Sequence, residues 1–237
     1  RAGWIEDVGV GNQAVAWEIY PVKPQLTTYV MPFGEDLGQV AFNRVYALIQ
    51  ATADNTTFQV DLDGNGTYDL LNANRNANKN GTDDGTTITL NAGQTFLLDR
   101  ISACTTNTTT CDTNPGTLNA GAIIQGSSTL QVKFVAGNPG QRYCARGLSA
   151  FPRGYWTKSY YAPLANPGAG SGTDYFLHNP HAAPLTVTWE SRTASGSFSI
   201  PAKSTVSFVT ASGGAVPTGS GLYFSAPDVF WGVGLND

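Results

Sequence analysis

The chain has 237 residues, a formal net charge of −4 and only 13% charged residues, against roughly 25% in an average soluble domain. That length suits one large or two modest domains, each burying its own core. The charge balance argues against a nucleic-acid partner, because nothing concentrates Lys and Arg against phosphates, and 41% hydrophobic residues argue against disorder.

In chain order, the sequence opens abruptly at Arg1 and stops abruptly at Asp237, which suggests a processed subunit or a piece of a longer protein. No signal peptide is visible, and no apolar run of about 18 residues predicts a transmembrane segment. Val40 to Gln50 suits a strand as well as a helix, being rich in β-branched and aromatic residues. Thr57–Val60, Thr87–Leu90, Leu130–Phe134, Leu185–Trp189, Ser197–Ile200 and Val206–Phe208 alternate polar and apolar residues. A period of two puts one face of each in a core and the other in water. Gly, Pro and Asn clusters such as Gly137-Asn138-Pro139-Gly140 separate these runs. The fold class expected is all-β: two tandem antiparallel β-sandwich domains, jelly-roll or Ig-like, related by an internal repeat.

The repeat carries that expectation. Tyr29-Val30-Met31-Pro32 recurs as Tyr160-Tyr161-Ala162-Pro163, and Pro21 and Pro152 each stand eight residues before the tyrosine, behind an aromatic. Tyr46 through Val60 matches Tyr175 through Trp189 without a gap, and Ile88–Gly93 matches Phe198–Lys203. Ile124-Gln125-Gly126 then matches Tyr223-Phe224-Ser225, and Leu130–Phe134 matches Val229–Val233. The domains expected are 14–137 and 142–237. Residues 1–13 form a strand segment that completes a sandwich or docks on a neighbouring molecule, Trp4-Ile5 resembling the strand end near Val135.

Several phrases resemble the repeats of large secreted bacterial surface proteins related to the IgGFc-binding protein N-terminal domain. They are Ala53–Val60, Thr89–Gln94, Gly121–Ser127, and Trp156 followed by Tyr160–Pro163. The resemblance implies β-sandwich repeats, an extracellular setting and adhesive or matrix roles. It does not extend to immunoglobulin binding.

One motif points to metal. Asp61-Leu62-Asp63-Gly64-Asn65-Gly66-Thr67-Tyr68-Asp69 offers oxygens at positions 1, 3, 5 and 9, with Gly at 6 and the Thr67 carbonyl at 7. Ca²⁺ takes 6–8 oxygens at about 2.3–2.6 Å, and alternate residues of a tight loop converge on one point. An EF-hand would have Glu at position 12, where Asn72 stands, so the expectation is a hairpin calcium loop; an Asp/Asn/Gly turn without metal is the competing reading. In the Asn-rich stretch that follows, Asp83 and Asp84 are the candidates for a second ion, and a solvated loop is the stronger reading there. Cys104 and Cys111 bracket a Thr/Asn-rich stretch and suggest a local disulfide, hence export, which leaves Cys144 odd. His178-Asn179-Pro180-His181 reads as a turn rather than a zinc site, because no nearby Cys, Asp or Glu completes a ligand set. Asn55, Asn65, Asn80 and Asn107 begin glycosylation sequons.

No nucleophile–base pair or phosphate loop emerges, so no enzyme is expected. The function expected is a secreted, non-enzymatic structural subunit of a surface filament, sheath or layer, self-associating by strand addition. The alternative is an adhesin module that binds a glycan or a host protein.

Overall fold

Apolar residues at every second position decide the architecture, since each strand must turn one face to a core. The computed structural model describes residues 2–7, 12–17, 26–38, 42, 44–69, 86–99, 118–137, 146–163 and 172–236. Cys104, Cys111, Cys144, Asp83 and Asp84 lie outside the described residues, as do Asn80 and Asn107. The chain divides into two units, Arg1–Gly154 and Tyr155–Asp237.

The first unit begins with a hairpin of β1 (Ala2–Asp7) and β2 (Asn12–Trp17), in register Ala2↔Trp17 to Asp7↔Asn12. Two four-stranded antiparallel sheets follow. One contains β3 (Thr28–Val30), β5 (Thr56–Asp61), β6 (Ile88–Leu90) and β8 (Ile123–Gly126), in the order β3-β8-β5-β6. The other contains β4 (Arg44–Ala51), β7 (Thr95–Asp99), β9 (Leu130–Gly137) and β10 (Arg146–Ser149), in the order β10-β9-β4-β7. The sheets face each other. Phe58 on β5 meets Phe96 on β7 edge-on, with ring centroids 5.3 Å apart. The Tyr29 hydroxyl on β3 donates to the Leu130 carbonyl on β9 at 2.6 Å. Phe33, Phe42 and Phe134 add a stacked and an edge-on contact to this core. β5 shows the expected alternation, with Phe58 and Val60 buried and Thr57 and Gln59 half-buried.

The second unit is built from β11 (Thr157–Ala162), β12 (Thr173–His178), β13 (Leu185–Glu190), β14 (Ser195–Ile200), β15 (Thr205–Ser207) and the long β16 (Leu222–Asn236). The first part of β16 pairs with β13 and β11, and its last part with β12, so this strand serves both layers. The expected strand ending at Phe208 stops at Ser207. A short helix, α1 (Phe208–Ser212), starts there, with the Ser207 hydroxyl accepting from the Thr210 N–H. Phe208 becomes the hub of the second core, edge-on to Trp189, Phe198 and Phe224 at centroid distances of 5.2, 6.0 and 5.7 Å.

The chain is therefore all-β, two tandem antiparallel sandwiches, and the repeat is visible in the pairing itself. In the first unit β3 pairs β8, β4 pairs β7 and β5 pairs β6, the nested order of a jelly roll. In the second, β11 pairs β16, β12 pairs β15 and β13 pairs β14. The inter-layer hydrogen bond recurs too: the Tyr160 hydroxyl donates to the Phe230 carbonyl at 2.7 Å, as Tyr29 does to Leu130. The left-handed turn at Gly93 (φ 80°) reappears at Lys203 (φ 55°).

Register corrects the sequence alignment in two places. Tyr29 pairs with Ile124 and Tyr160 with Phe224, so Ile124 corresponds to Phe224, not Tyr223, and Leu130 to Phe230. Ile124 and Phe224 are both core residues. Ile49 pairs with Val132 and Leu177 with Gly232, so Ile49 corresponds to Leu177. The match from Tyr46 to Val60 thus carries one gap, in the turn after β4. A single-residue slip would reverse the faces of a strand, and burial forbids it.

The two tyrosine hydroxyls give the first prediction. Tyr29→Phe should lower unfolding stability by about 1 kcal/mol in denaturant titrations, the net worth of one hydrogen bond, and Tyr160→Phe by at least as much, because the Tyr160 hydroxyl also accepts from the Thr157 N–H at 2.9 Å. No loss in either variant would contradict the shared role of this inter-layer bond.

Candidate metal centre

The loop after β5 is shaped by its own backbone. Asp61 ends the strand, and its carboxylate accepts from the Asn65 N–H at 3.1 Å and the Gly66 N–H at 2.7 Å. Asp63 Oδ1 accepts from the same Asn65 N–H at 3.1 Å, and Asn65 Oδ1 from the Thr67 N–H at 2.7 Å. Asp69 closes the turn: its Oδ2 accepts from the Leu62 N–H at 2.7 Å, and its N–H donates to the Val60 carbonyl at 2.8 Å. Gly64 and Gly66 sit at φ 71° and 95°, where a Cβ is penalised. A Cβ on Gly64 would also meet the Gly121 carbonyl oxygen at 2.8 Å.

The predicted ligands converge in part. Asp61, Asp63 and Asp69 each present one carboxylate oxygen within 4.8 Å of the others. Two oxygens that share one Ca²⁺ at about 2.4 Å stand at most about 4.8 Å apart, and the three carboxylates meet that spacing. Asp61 is buried, Asp69 half-buried, and Asp63, Asn65 and Thr67 are exposed. Burial pushes the Asp61 carboxyl above the usual carboxylate range; the Gly66 N–H opposes this, the neighbouring Asp63 carboxylate adds to it, and the Gly64 and Asn65 N–H groups oppose it. A cation placed among the three would remove the penalty of ionising Asp61. Asn72 lies outside the described residues.

Sequence spacing did not reveal the support beneath the loop. The Asn119 N–H donates to the Leu62 carbonyl at 3.0 Å, and Asn119 Oδ1 is buried without a hydrogen-bond partner among the described residues. The next residue, Ala120, donates its N–H to Asp36 Oδ1 at 2.7 Å. More than fifty residues separate Asn119 from Asp61, so no local spacing signals it.

The histidine motif is a turn organised by its asparagine. Asn179 is fully buried. Its Nδ2 donates to the carbonyls of Ala183, Ile200 and Pro201, and its Oδ1 accepts from the His181 N–H at 2.9 Å. His178 Nδ1 lies 3.0 Å from Thr205 Oγ1, whereas His181 Nε2 lies 2.8 Å from the Val229 carbonyl. The two imidazoles thus serve different contacts.

One surface feature stands apart. Tyr161 is 85% exposed, and its ring lies 4.8 Å from that of Tyr223, tilted by 41°. Tyr223 pairs with Glu190 across the sheet, and Ser225 pairs with Ser159 and Thr188.

Compared with protein-family models, curated proteins and solved structures, the chain matches none. No helix among the described residues is long and apolar enough to cross a membrane.

Proposed function

We propose that the chain is a non-enzymatic structural protein of the cell exterior, a subunit of a surface filament, sheath or layer that assembles by strand pairing between copies. The observation that carries this reading is the duplicated module: two sandwiches with one pairing order, joined in tandem, which is how scaffolds extend. The surface chemistry agrees. Exposed strand faces such as Ser195, Ser197 and Ser199 on β14 are hydroxyl-rich, and the chain carries few charges. The resemblance to secreted bacterial repeat proteins supports the same setting. In this reading Ca²⁺ binds Asp61, Asp63 and Asp69, with Asn65 and the Thr67 carbonyl completing the set, and stiffens the β5–β6 connection.

Electron microscopy and light scattering of the purified chain test the proposal. Ordered fibres or lattices are expected, and monodisperse monomers at every concentration would refute it.

The exposed Tyr161–Tyr223 pair favours a second reading, an adhesin module. Adjacent aromatic rings offer a face for a sugar ring, and neighbouring hydroxyls offer hydrogen bonds. Glycan-array binding that Tyr161→Ala abolishes would establish it; no binding to any glycan would dismiss it.

A further inference from the structure

The tyrosines of this chain fall into two groups by where their phenols point. The Tyr29, Tyr160 and Tyr175 hydroxyls donate to the carbonyls of Leu130, Phe230 and Ala162, which ties these phenols to the backbone. Tyr161 and Tyr223 differ. The alternation of β11 and β16 turns Tyr160 and Phe224 toward the second core and the next residues, Tyr161 and Tyr223, to the outer face. Tyr161 is 85% exposed and Tyr223 half-buried, and among the described residues neither hydroxyl has a hydrogen-bond partner. The two stand opposite each other in the ladder, between the pairs Tyr160↔Phe224 and Ala162↔Leu222. Their ring centroids are 4.8 Å apart, with the planes tilted by 41°, near the short end of the roughly 4.5–7 Å that aromatic pairs span. Both belong to the second unit.

We propose that Tyr161 and Tyr223 form a site of oxidative coupling, where hydrogen peroxide, acting through a haem peroxidase, joins the two rings as dityrosine and staples β11 to β16. Each phenol gives up one electron and its hydroxyl proton, leaving a tyrosyl radical whose unpaired electron reaches the ring carbons beside the C–O bond. One such Cε of Tyr161 bonds to one of Tyr223. The hydrogen on each bonded carbon then shifts, through water, to its own oxygen and restores the phenol. The two electrons and two protons released reduce one peroxide to two waters, so the chain loses two hydrogens and nothing else.

Three features favour this pair. The ladder holds the rings side by side, so the radicals meet without diffusing together, as in any intramolecular reaction. The hydroxyls open to water, which takes each proton as the electron leaves. The one methionine, Met31, is fully buried, so peroxide is not spent on a thioether. Tyr68 is also exposed, at 39%, but it has no ring contact. Among the described strands β11 pairs only with β16, and its register shifts between Thr157 and Ser159; a bond between the rings fastens it to that one neighbour. The site is independent of how copies of the chain assemble.

The full chain, with free thiols alkylated beforehand, is treated with a haem peroxidase and dilute hydrogen peroxide. Dityrosine fluorescence should appear on the monomer, the intact mass should fall by two hydrogens, and digestion should yield the peptides of Tyr161 and Tyr223 joined. The yield should survive dilution, because the coupling lies within one chain. The bridged chain should melt several degrees higher, since a cross-link that closes a long loop restricts the unfolded state. Tyr161→Phe and Tyr223→Phe, which each remove one outward hydroxyl, should both lose the bridge, and Tyr68→Phe should keep it. Treatment in urea should give far less of the joined peptides, because the ladder is gone. No dityrosine in the folded chain, an equal yield in Tyr161→Phe, or bridges that join only separate copies or other tyrosines would overturn the site.

Discussion

Asn179→Ala should destabilise the second unit by about 3 kcal/mol or more, near the top of what a single substitution does. The side chain is fully buried at the corner where β12 ends. Its amide nitrogen reaches the Ala183 carbonyl at 2.8 Å, the Pro201 carbonyl at 3.0 Å and the Ile200 carbonyl at 3.1 Å, so its two hydrogens serve three acceptors. Its oxygen holds the His181 N–H. Alanine removes all of these at once and leaves buried polar groups without partners. Each such group costs about 1–3 kcal/mol, less when water can enter. Its backbone N–H bond to the Ser204 carbonyl, 2.9 Å, survives the substitution, so the loss reports the side chain alone. Asn179→Asp should fare no better, because it turns a carboxylate toward three carbonyl oxygens. Urea unfolding followed by tryptophan fluorescence measures the effect. A loss below 1 kcal/mol in Asn179→Ala would mean that water replaces the amide without cost.

The same corner shows how much of the fold could be read beforehand. Strands such as β5, β13 and β14 follow from period-two alternation, because one face of each meets a core and the other meets solvent. Asn-Pro at 179–180 marked the turn, yet nothing in four residues shows that the asparagine would be the buried bond-maker of that corner. The helix α1 was illegible for a related reason. Phe208, Val209 and Thr210 favour strands locally, and the helix exists because Ser207 caps it and Asp174, on β12, accepts from the Val209 N–H at 3.0 Å. That partner lies 35 positions away. The repeat was legible as an order of motifs, but its register was not. Tyr46 and Tyr175 share a side chain but not a place in the ladder. The ladder instead places Ala47 opposite Phe134 and Tyr175 opposite Gly234, so a small residue facing a large one in one unit becomes a large one facing glycine in the other. Volume is conserved across the pair rather than at the position. The Asp61 loop was legible because its ligands lie within nine residues; its floor at Asn119 was not.

Asp61→Asn should have opposite consequences with and without calcium. In the metal-free chain the folded state raises the Asp61 carboxyl above its usual range, chiefly through burial. A raised acid contributes stability that is fully present below its unfolded pKa and lost as pH rises through its folded value. The metal-free protein should therefore gain stability as pH falls from neutral through that raised range. Asparagine, which carries no charge, should abolish this dependence and leave the metal-free chain as stable as the parent at neutral pH, or more so. On the calcium reading proposed above, the ion should reverse the comparison, because it would bind the ionised carboxylate that burial disfavours. At an ion concentration 100-fold above Kd the parent should gain about 2.7 kcal/mol, seen as a melting point several degrees higher. That gain should shrink as protons compete for Asp61 at lower pH. Asp61→Asn should forfeit most of it, since the substitution removes the one buried carboxylate of the three. Calorimetry at two pH values, with calcium or chelator, gives all four comparisons. If the parent melts at the same temperature with either at pH 7, the three carboxylates hold no calcium, and the hydrogen bonds to Asp61 serve the turn alone.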